Sequence, residues 1–498
     1  MSKRITLEEL KSYLWNSAVL LRTHIDAGSY KQYIFPLLFF KRISDVWDEE
    51  FSNAIAEYGE EAASFPEIHR FVLPEGYHWK DIRETSENVG KVIVNAFRAI
   101  ERANADKLMG VFGDGAWTNK NRLTDELLKD LIEHFSTQTL SIENCPEDEL
   151  GQGYEYLIRK FADDSGHTAQ EFYTNRTVVH LMTELLKPQS GEKVYDPTCG
   201  SAGMLISAIA YLKAQGKEWR NVKIYGQEIN ALTSAIARMN LFLHGVKDFN
   251  IVNDDTLVTP AFIENGQLMQ FDAIIANPPY SISQWNREAF ATDKYGRNFL
   301  GTPPQGRADY AFFQHILKSM SPQTGRCAIL FPHGVLFRKE ESELREKLIK
   351  ADLLESVIGL GANLFYNSPM EACIIVCRAQ KPVTRRGQIL MINAVNEVTR
   401  KNAFSYLEDA HINKIADVYD KFTNIDGFSK VITTADAESN NFSLSIPLYV
   451  HDIASEGAID NRSTSECASA WLDSSFDMRT AFDDLTSLLD HLNNGGKQ

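Results

Sequence analysis

The chain has 498 residues, 44% of them hydrophobic and 24% charged, which are ordinary values for a folded protein with a substantial core. At roughly 150 residues per domain, this length predicts about three structural units. The 51 Lys and Arg residues are outweighed by 67 Asp and Glu residues, so the net charge is −16. Such an acidic chain is not a DNA-binding protein of the basic-patch kind that acts alone. Any contact with nucleic acid requires a local positive surface or a partner.

The sequence predicts neither a membrane segment nor a secretion signal. The longest apolar run near the start, Ile34–Phe40, has seven residues including a proline, whereas a membrane span needs about 20. The first residues are basic but lack the apolar stretch and cleavage site of a signal peptide. Six cysteines without a CxxC spacing are typical of reduced thiols. We therefore expect a cytoplasmic protein.

The first 145 residues have a helical pattern. Thr6 is followed three residues later by Glu9, the capping-box arrangement at the start of a helix. Apolar residues then recur at helical spacing, and further helical patterns cover Val92–Ile100 and Leu123–Phe135. Because the polar segment Asn144–Glu149 contains a proline, we place a boundary there. Residues 1–145 are expected to form an all-helical N-terminal domain.

From about residue 150, short apolar runs alternate with helical segments, which predicts an α/β domain with a mostly parallel sheet. We assign residues 146–400 to this domain. Residues 401–498 are expected to form a helical C-terminal extension that contacts a partner, with helices near Asp409–Phe422 and Ala468–Leu492. The expected strands are Lys193–Tyr195, Val222–Tyr225, Phe271–Ala276, Cys327–Phe331, Leu353–Ile358 and Ala372–Cys377, and the expected helices between them include Gly203–Ala214, Ala231–His244 and Tyr310–Met320.

The first signal of chemistry is an apolar strand that ends in Asp196 and is followed by a turn with Gly200 and Gly203. Small residues let the backbone approach a ligand closely, and the following helix offers N–H groups at its start. The acidic residue ahead of the glycines distinguishes this turn from a dinucleotide-binding loop, since a carboxylate attracts an ammonium group and repels a pyrophosphate. A plain strand–turn–helix connection is the alternative interpretation.

Two more acidic residues follow the next predicted strands. Glu228 comes 32 residues after Asp196, at a strand end where a carboxylate can accept hydrogen bonds from both ribose hydroxyls. Asp255 follows the third strand and could accept from the exocyclic amine of a purine. Each signal is weak alone, because acidic residues at strand ends are often solvated and Asp in loops often caps helices.

The fourth signal is a buried strand that ends abruptly in Asn277-Pro-Pro-Tyr280. The two prolines remove backbone donors and restrict the chain. The Asn277 side-chain oxygen and the Pro278 carbonyl can then accept both protons of one planar amine, which makes its nitrogen more nucleophilic. Tyr280 offers a flat face on which a base can stack. The alternative is a surface turn.

These four signals, in this order, resemble the S-adenosylmethionine-dependent amino-methyltransferases. The resemblance implies a Rossmann-like methyltransferase domain in which the glycine loop holds the methionine part of the cofactor. It also implies that Glu228 holds the ribose and that Asn277, Pro278 and Tyr280 hold the target amine. The cofactor-binding residues implied in this region are Asp196, Gly200, Ser201, Ala202, Gly203, Glu228 and Asp255.

Further stretches resemble the adenine methyltransferases of type I restriction-modification systems. Gly166–Arg176 is similar to the cofactor-binding segment that precedes the glycine loop in that family, although Asn175 stands where the family usually has Pro. Leu37–Asp45 resembles the helical N-terminal domain of the modification subunit, and Arg307–His315 is similar to a downstream segment. The resemblance implies further cofactor contacts from Glu171, Phe172, Tyr173, Thr174, Asn175 and Arg176.

The function that this resemblance implies is methyl transfer from S-adenosylmethionine to the N6 amino group of adenine in double-stranded DNA. The chain would be the modification subunit of a complex with a separate specificity subunit and a restriction subunit, usually with two modification subunits. The acidic net charge agrees with a subunit that does not bind DNA alone. Two alternatives stay open: an amino-methyltransferase acting on protein glutamine or RNA guanine, and a scaffold subunit that binds the cofactor but no longer methylates.

Other chemistries have little support in the residues. A cytosine ring-carbon methyltransferase needs a nucleophilic Cys, usually after Pro, but no Pro-Cys dipeptide occurs, and Cys199 is expected to pack inside the glycine turn. Cys373 and Cys377 lie on one predicted strand about 13 Å apart, too far to share a zinc ion. No metal pattern and no phosphate-binding GKS/T loop are present.

Overall fold

A computed structural model describes residues 4–164, 174–364, 371–401 and 404–451, and its centre is a nine-stranded mixed sheet. Its strands are β1 (Lys193–Asp196), β2 (Lys223–Glu228), β3 (Phe249–Asn253), β4 (Ala273–Ala276), β5 (Arg326–Pro332), β6 (Leu354–Leu360), β7 (Ala372–Arg378), β8 (Gln388–Ala394) and β9 (Ser429–Thr433). They lie in the order β9-β8-β6-β7-β5-β4-β1-β2-β3.

The expected parallel sheet is confirmed for β1 to β5, which pair in parallel from β3 to β5 across the sheet. The strand β7 runs antiparallel between β5 and β6, and β9 runs antiparallel to β8. Because β7 is buried on both faces, its apolar run has the composition of a parallel strand, and the sequence alone does not reveal its direction.

The N-terminal part is helical, as expected. Thr6 begins the first helix with a capping box, in which its hydroxyl accepts from the Glu9 N–H at 3.3 Å and the Glu9 carboxylate accepts from the Thr6 N–H at 2.9 Å. The helices of this part are α1 (Leu7–Leu21), α2 (Lys31–Tyr58), α3 (Glu60–Ala63), α4 (Trp79–Arg83), α5 (Val89–Ala103), α6 (Ala105–Leu108), α7 (Asp125–Ser136) and α8 (Glu147–Asp164).

A buried arginine connects α2 to the segment that leads into α8. One Arg42 nitrogen donates to the carbonyl oxygens of Leu140, Ser141 and Cys145 at 2.5, 2.8 and 2.7 Å. These carbonyls lie in a turn without regular structure, so the guanidinium satisfies acceptors that would otherwise be buried without partners. The helical core therefore extends to the start of α8.

Helices cover both faces of the sheet. Neighbouring side chains on β1 point to opposite faces, and Val194 and Tyr195 accordingly belong to two separate hydrophobic cores. The helices of this part are α9 (Arg176–Leu186), α10 (Gly203–Ala214), α11 (Ala231–Leu243), α12 (Arg287–Ala291), α13 (Asp309–Lys318), α14 (Ser342–Lys350), α15 (Asp409–Lys421) and α16 (Thr434–Ser439). The Val194 core includes α9, α10 and α15, whereas the Tyr195 core includes α13 and α14.

The helical N-terminal part shares its core with the α/β part through α11. Ile236 and Met239 of this helix are buried among the N-terminal helices, whereas Ala237 and Leu241 face the sheet. The residues up to Val450 accordingly form one compact unit. Within the residues described, no helix is long and apolar enough to cross a membrane.

The chain beyond residue 400 contributes to the sheet as well as to the helices. The helix expected near Asp409–Phe422 is present as α15, and it packs against α9. Neither β8 nor β9 was expected from the sequence, and β9 adds an edge strand to β8. The helix expected at Ala468–Leu492 lies outside the described residues.

Candidate active site

The predicted site residues lie at one edge of the sheet. Because β1 to β5 run in parallel, their carboxyl ends meet at the same edge, which is where ligands bind in open α/β sheets. Asp196 ends β1, Glu228 ends β2 and Asn277 follows β4. The chain order of the motifs therefore becomes a spatial cluster.

The glycine loop begins at a buried carboxyl group. Asp196 is buried at the end of β1, and its carboxylate accepts a hydrogen bond from the Thr198 N–H at 3.0 Å. Burial is the main cause that raises the pKa of Asp196 to about 7; the negative charge of Glu228 adds to the rise and the Thr198 N–H opposes it. A cation placed here would restore the ionised form.

Glu228 connects the loop after β1 to the loop after β2. One of its carboxylate oxygens accepts from the Gly200 N–H at 3.1 Å, and the other accepts from the Asn230 N–H at 2.8 Å. Gly200 has a left-handed backbone (φ 52°), which glycine adopts without steric cost. Glu228 thus holds the conformation of the glycine loop itself, a role that the sequence analysis did not include.

The start of α10 is shaped by two residues of the loop. Ala202 has a left-handed backbone (φ 63°) immediately before the helix, and Gly203 is the first helical residue. A Cβ atom on Gly203 would lie 2.2 Å from an Arg176 nitrogen, so the guanidinium packs directly against this glycine. Arg176 also pairs with Glu155 of α8. Gly203 is therefore required for close contact between Arg176 and the loop.

The loop after β3 adopts a capped turn. The Asp255 carboxylate accepts from the Leu257 and Val258 N–H groups at 2.8 and 3.2 Å. The Thr256 hydroxyl donates to the Pro197 carbonyl at 2.5 Å, which connects this turn to the residue after Asp196. The side chain of Asp255 thus stabilises its own loop, and that loop lies beside the glycine loop.

A buried polar network that the sequence analysis missed supports the Asp255 loop. The Arg297 guanidinium donates to the carbonyls of Thr256 and Leu257, both at 2.9 Å, and pairs with Asp293 at 2.7 Å. His315 lies 3.4 Å from Arg297 and 3.0 Å from the Tyr195 hydroxyl. Burial, together with the charge of Arg297, lowers the pKa of His315 to about 3, so this histidine is neutral.

The side-chain amide of Asn277 is held from two sides. Its nitrogen donates to the Thr174 hydroxyl at 3.0 Å, and its oxygen accepts from the Tyr280 hydroxyl. Burial raises the pKa of the Tyr280 phenol, which therefore keeps its proton. Pro278 is buried. The structure thus brings Thr174, Asn277 and Tyr280 together.

Residues after Tyr280 are fixed to the start of α13. The Asp309 carboxylate accepts from the Ser281 N–H at 2.8 Å, and the Ile282 carbonyl accepts from the Ala308 N–H at 3.1 Å. Asp309 is completely buried and pairs with Arg338 at 2.6 Å. The sequence predicts neither of the Asp309 contacts, because Ser281 and Arg338 are far from Asp309 along the chain and Ser281 contributes only its backbone N–H.

The buried ion pair has a second carboxyl group beside it. Glu341 is fully buried with an oxygen 3.6 Å from Arg338, and neither of its oxygens has a hydrogen-bond partner. Burial raises the pKa of Glu341 to about 7, and the charge of Asp309 adds to this rise while Arg338 opposes it. Asp309 is therefore the principal partner of Arg338.

Asn175, the departure from the usual proline, caps α9. Its side-chain oxygen accepts from the Thr177 N–H at 3.0 Å, and its amide nitrogen donates to the Ser405 carbonyl at 3.0 Å. A side-chain cap replaces the conformational restriction that proline would supply. Thr174, Asn175 and Arg176 thus lie at the candidate site, whereas Glu171, Phe172 and Tyr173 lie outside the described residues.

The five cysteines within the described residues are buried free thiols. Cys199 is buried, and its sulfur lies 2.9 Å from the position of a Cβ on Gly226, so it fills the space beside β2. Burial raises the pKa of the Cys199 thiol well above its usual value. In the part of the chain that the structure describes, no group of three or more His, Cys, Asp or Glu side chains could hold a metal ion.

Two family models match this chain. The model of the N-6 DNA methylase family matches residues 146–457, and that of the HsdM N-terminal domain matches residues 10–135. The HindI methylase subunit of Haemophilus influenzae, from a type I restriction enzyme, is 32% identical over 76% of this chain and 89% of that protein. The MjaVIII methylase subunit of Methanocaldococcus jannaschii is 30% identical over 92% of this chain and 80% of that protein.

This chain belongs to the methylase subunits of type I restriction enzymes. A solved structure of a type I restriction-modification methyltransferase subunit from Streptococcus thermophilus is 28% identical, with a TM-score of 0.78, and covers 90% of this methylase subunit and 100% of that chain. A modification subunit from Vibrio vulnificus shares the fold with a TM-score of 0.64 at 20% identity. The expected fold and the expected N6-adenine DNA methyltransferase family are therefore confirmed.

Proposed function

We propose that this methylase subunit transfers a methyl group from S-adenosylmethionine to the N6 amino group of adenine in double-stranded DNA, at the edge formed by Asp196, Glu228 and Asn277. The observation that carries this proposal is the fixed Asn277 side chain. Its amide is oriented by Thr174 and Tyr280 and follows a strand next to the one that ends in Asp196. An acceptor for an amine and a site for a cationic cofactor are thereby adjacent.

The residues at the edge fit S-adenosylmethionine. Asp196 is a buried carboxyl group whose pKa is raised by burial and by the charge of Glu228, and the ammonium group of the cofactor would stabilise its ionised form. A carboxylate offers about four lone-pair positions, so Glu228 can keep its two loop contacts and accept from ribose hydroxyls. The Asp255 loop, together with residues 171–176 and 200–203, would complete the site. When bound, the cofactor supplies an electrophilic methyl group.

The chain's own residues prepare the target amine. The Asn277 oxygen and the Pro278 carbonyl would accept its two protons, which favours a tetrahedral nitrogen with its lone pair directed at the methyl group. The Tyr280 ring would stack on the base, which must leave the duplex at a cost of a few kcal/mol. The nitrogen would gain the positive charge that the sulfur loses, and the fixed acceptors would stabilise that charge. One N–H proton of the methylated amine would then pass to solvent, so no side chain is needed as a general base.

The partners are part of the proposal. We infer a complex with a specificity subunit and a restriction subunit, containing two copies of this chain, because its relatives are subunits of type I restriction enzymes. The net charge of −16 supports weak DNA binding by the isolated chain. The C-terminal extension, residues 401–498, is the segment that we assign to partner contact. The complex would be cytoplasmic, because its substrate is DNA.

The test maps N6-methyladenine in the genome of the source cells, with the chain intact and with Asn277→Ala. We expect a two-part sequence motif to lose its methyl mark in Asn277→Ala and to keep it in Asn121→Ala, an exposed control. An unchanged methyl mark would contradict the role of Asn277. A labelled-methyl assay with DNA, RNA and protein pools then distinguishes DNA from protein glutamine or RNA guanine, and label in none of the pools would indicate a silent scaffold.

A further inference from the structure

Two aromatic side chains between α1 and α8 each have two cations near the ring. Arg22 and Lys160 both lie 5.7 Å from the centre of the Trp15 ring, and Arg159 and Lys160 lie 5.9 and 6.0 Å from that of Tyr156. Among the described residues, none of these three cations has a carboxylate within ion-pair distance. We call these five residues the junction cluster.

The Trp219 ring also has two cations near it, and its surroundings can be compared with the junction cluster. Lys213 and Arg220 lie 4.5 and 5.0 Å from the Trp219 ring centre, closer than in the junction cluster. Each of these cations also pairs with a carboxylate, Lys213 with Asp148 at 2.7 Å and Arg220 with Glu218 at 3.5 Å. Within the described residues, the cations near Trp219 are thus paired with carboxylates, whereas those of the junction cluster are not.

The junction cluster lies next to the candidate active site. Glu155 pairs with Arg176, and the Arg176 guanidinium packs against Gly203 of the glycine loop. Arg159 lies one helical turn after Glu155 on the same face of α8. Arg159 is therefore about one helical turn away from Glu155, whose partner Arg176 reaches the glycine loop. The Trp219 cations instead lie near Lys223, at the amino end of β2 and thus at the opposite edge of the sheet.

We propose that the junction cluster binds the phosphodiester backbone of the DNA duplex that carries the target adenine. This inference rests on the proposed function, which supplies the duplex. Aromatic rings hold the three cations in place without cancelling their charge, so they stay available for phosphates. Phosphate contacts position a protein on DNA without reading its sequence, which agrees with sequence recognition by a separate subunit. The cluster thus supplies the local positive surface that the net charge of the chain does not.

The test compares the full chain, assembled with its specificity subunit, with the triple variant Arg22→Gln/Arg159→Gln/Lys160→Gln. The probe is a fluorescent random-sequence duplex, with Kd measured at several salt concentrations. Each lost phosphate contact should lower the slope of log K against log salt by about 0.9, so three contacts would lower it by about 2.7. The matched control, Lys213→Gln/Arg220→Gln/Lys223→Gln, removes the same charge and should leave the slope unchanged.

The outcomes separate this proposal from the proposed function. An unchanged slope and Kd in the triple variant would show that the junction cluster does not contact DNA. An equal loss of slope and affinity in the control variant would show that only the net charge matters, and would also overturn the proposal. Loss of S-adenosylmethionine affinity without loss of DNA affinity would assign the cluster to the cofactor and also overturn the proposal. Methyl transfer to adenine by the unmodified complex tests the proposed function separately. If no methyl transfer occurred, the salt dependence of DNA binding would still test the junction cluster.

Discussion

The Asp309 carboxylate accepts a hydrogen bond from the backbone N–H of Ser281 at 2.8 Å, immediately after Tyr280. Ser281 has a left-handed backbone (φ 52°), a conformation that costs a non-glycine residue on the order of 1 kcal/mol. The other Asp309 oxygen pairs with Arg338, so the loop is attached to a buried ion pair. The orientation of Tyr280 therefore depends on a residue outside the Asn277–Tyr280 motif.

Replacing Asp309 should lower the rate of methyl transfer more than it lowers binding. Asp309→Ala removes the acceptor for Ser281, and a displacement of about 1 Å near the reacting atoms can cost roughly 100-fold in kcat. We expect the Kd for S-adenosylmethionine to stay unchanged. Asp309→Asn keeps an oxygen acceptor and should recover part of the rate. Kinetics of tritiated methyl transfer at saturating DNA measure both variants.

The neighbouring Glu341 should limit the loss of stability in Asp309→Ala. Removing the Asp309 charge lowers the pKa of Glu341, since that charge contributes to its rise. Glu341 can then ionise and serve as the partner of Arg338, 3.6 Å away. Thermal melts of Asp309→Ala should therefore stay close to those of the exposed control Asp426→Asn. A fall in kcat that merely follows loss of folded protein would contradict a positioning role.

Thr174 should control the orientation of the Asn277 amide. Its hydroxyl accepts from the Asn277 nitrogen at 3.0 Å, so the amide oxygen is directed away from it. Thr174→Val preserves the shape but removes this acceptor, and the loss of one hydrogen bond of this kind costs about 0.5–1.5 kcal/mol. We expect kcat to fall by up to about 10-fold, with Thr174→Ser close to the unmodified chain. Equal rates in Thr174→Val and Thr174→Ser would show that the hydroxyl is dispensable.

The sequence predicts the acceptors at the edge but not their supports. Asp196, Glu228 and Asn277 are predictable because parallel strands end at one edge, so a strand pattern places the next residue. Arg297 is not, since its partners are the backbone carbonyls of Thr256 and Leu257, about 40 positions away, and carbonyls have no sequence signal. The direction of β7 is hidden for a similar reason, because a strand buried on both faces has the same apolar composition in either direction.

Arg297 should therefore affect cofactor affinity from a distance. A lysine in its place has one ammonium group, which cannot bind both loop carbonyls and Asp293 with the geometry of a guanidinium. We expect Arg297→Lys to weaken S-adenosylmethionine binding by about 10-fold, or about 1.4 kcal/mol, because the Asp255 loop loses its support. Calorimetric titration measures this, with the exposed neighbour Lys294→Gln as control. Unchanged affinity in Arg297→Lys would separate the Asp255 loop from the cofactor.

The buried Asp196 should make cofactor affinity depend on pH. Its pKa of about 7 lies above the value of about 3.9 in an unfolded chain, so the folded protein favours the protonated acid. Binding of an ammonium group needs the carboxylate, which is mostly ionised only above pH 7. Affinity for S-adenosylmethionine should therefore fall about 10-fold per pH unit below about pH 6, and it should also decrease above about pH 8 because the α-amino group of the cofactor loses its proton there. Calorimetric titrations from pH 5.5 to 8.5 test this.

The same raised pKa gives a stability prediction with a defined sign. Between about pH 4 and pH 7 the folded state binds more protons at Asp196 than the unfolded state, so this carboxyl group lowers stability as pH rises through that window. Asp196→Asn removes the free-energy cost of ionising a buried carboxyl group. It should raise the free energy of unfolding at pH 8, by about 4 kcal/mol at most, and give no gain near pH 4. The variant should also lose S-adenosylmethionine binding, because an amide does not attract the ammonium group. Urea unfolding at both pH values measures the difference, and a variant less stable than the unmodified chain at pH 8 would show that Asp196 is paired in the cofactor-free protein.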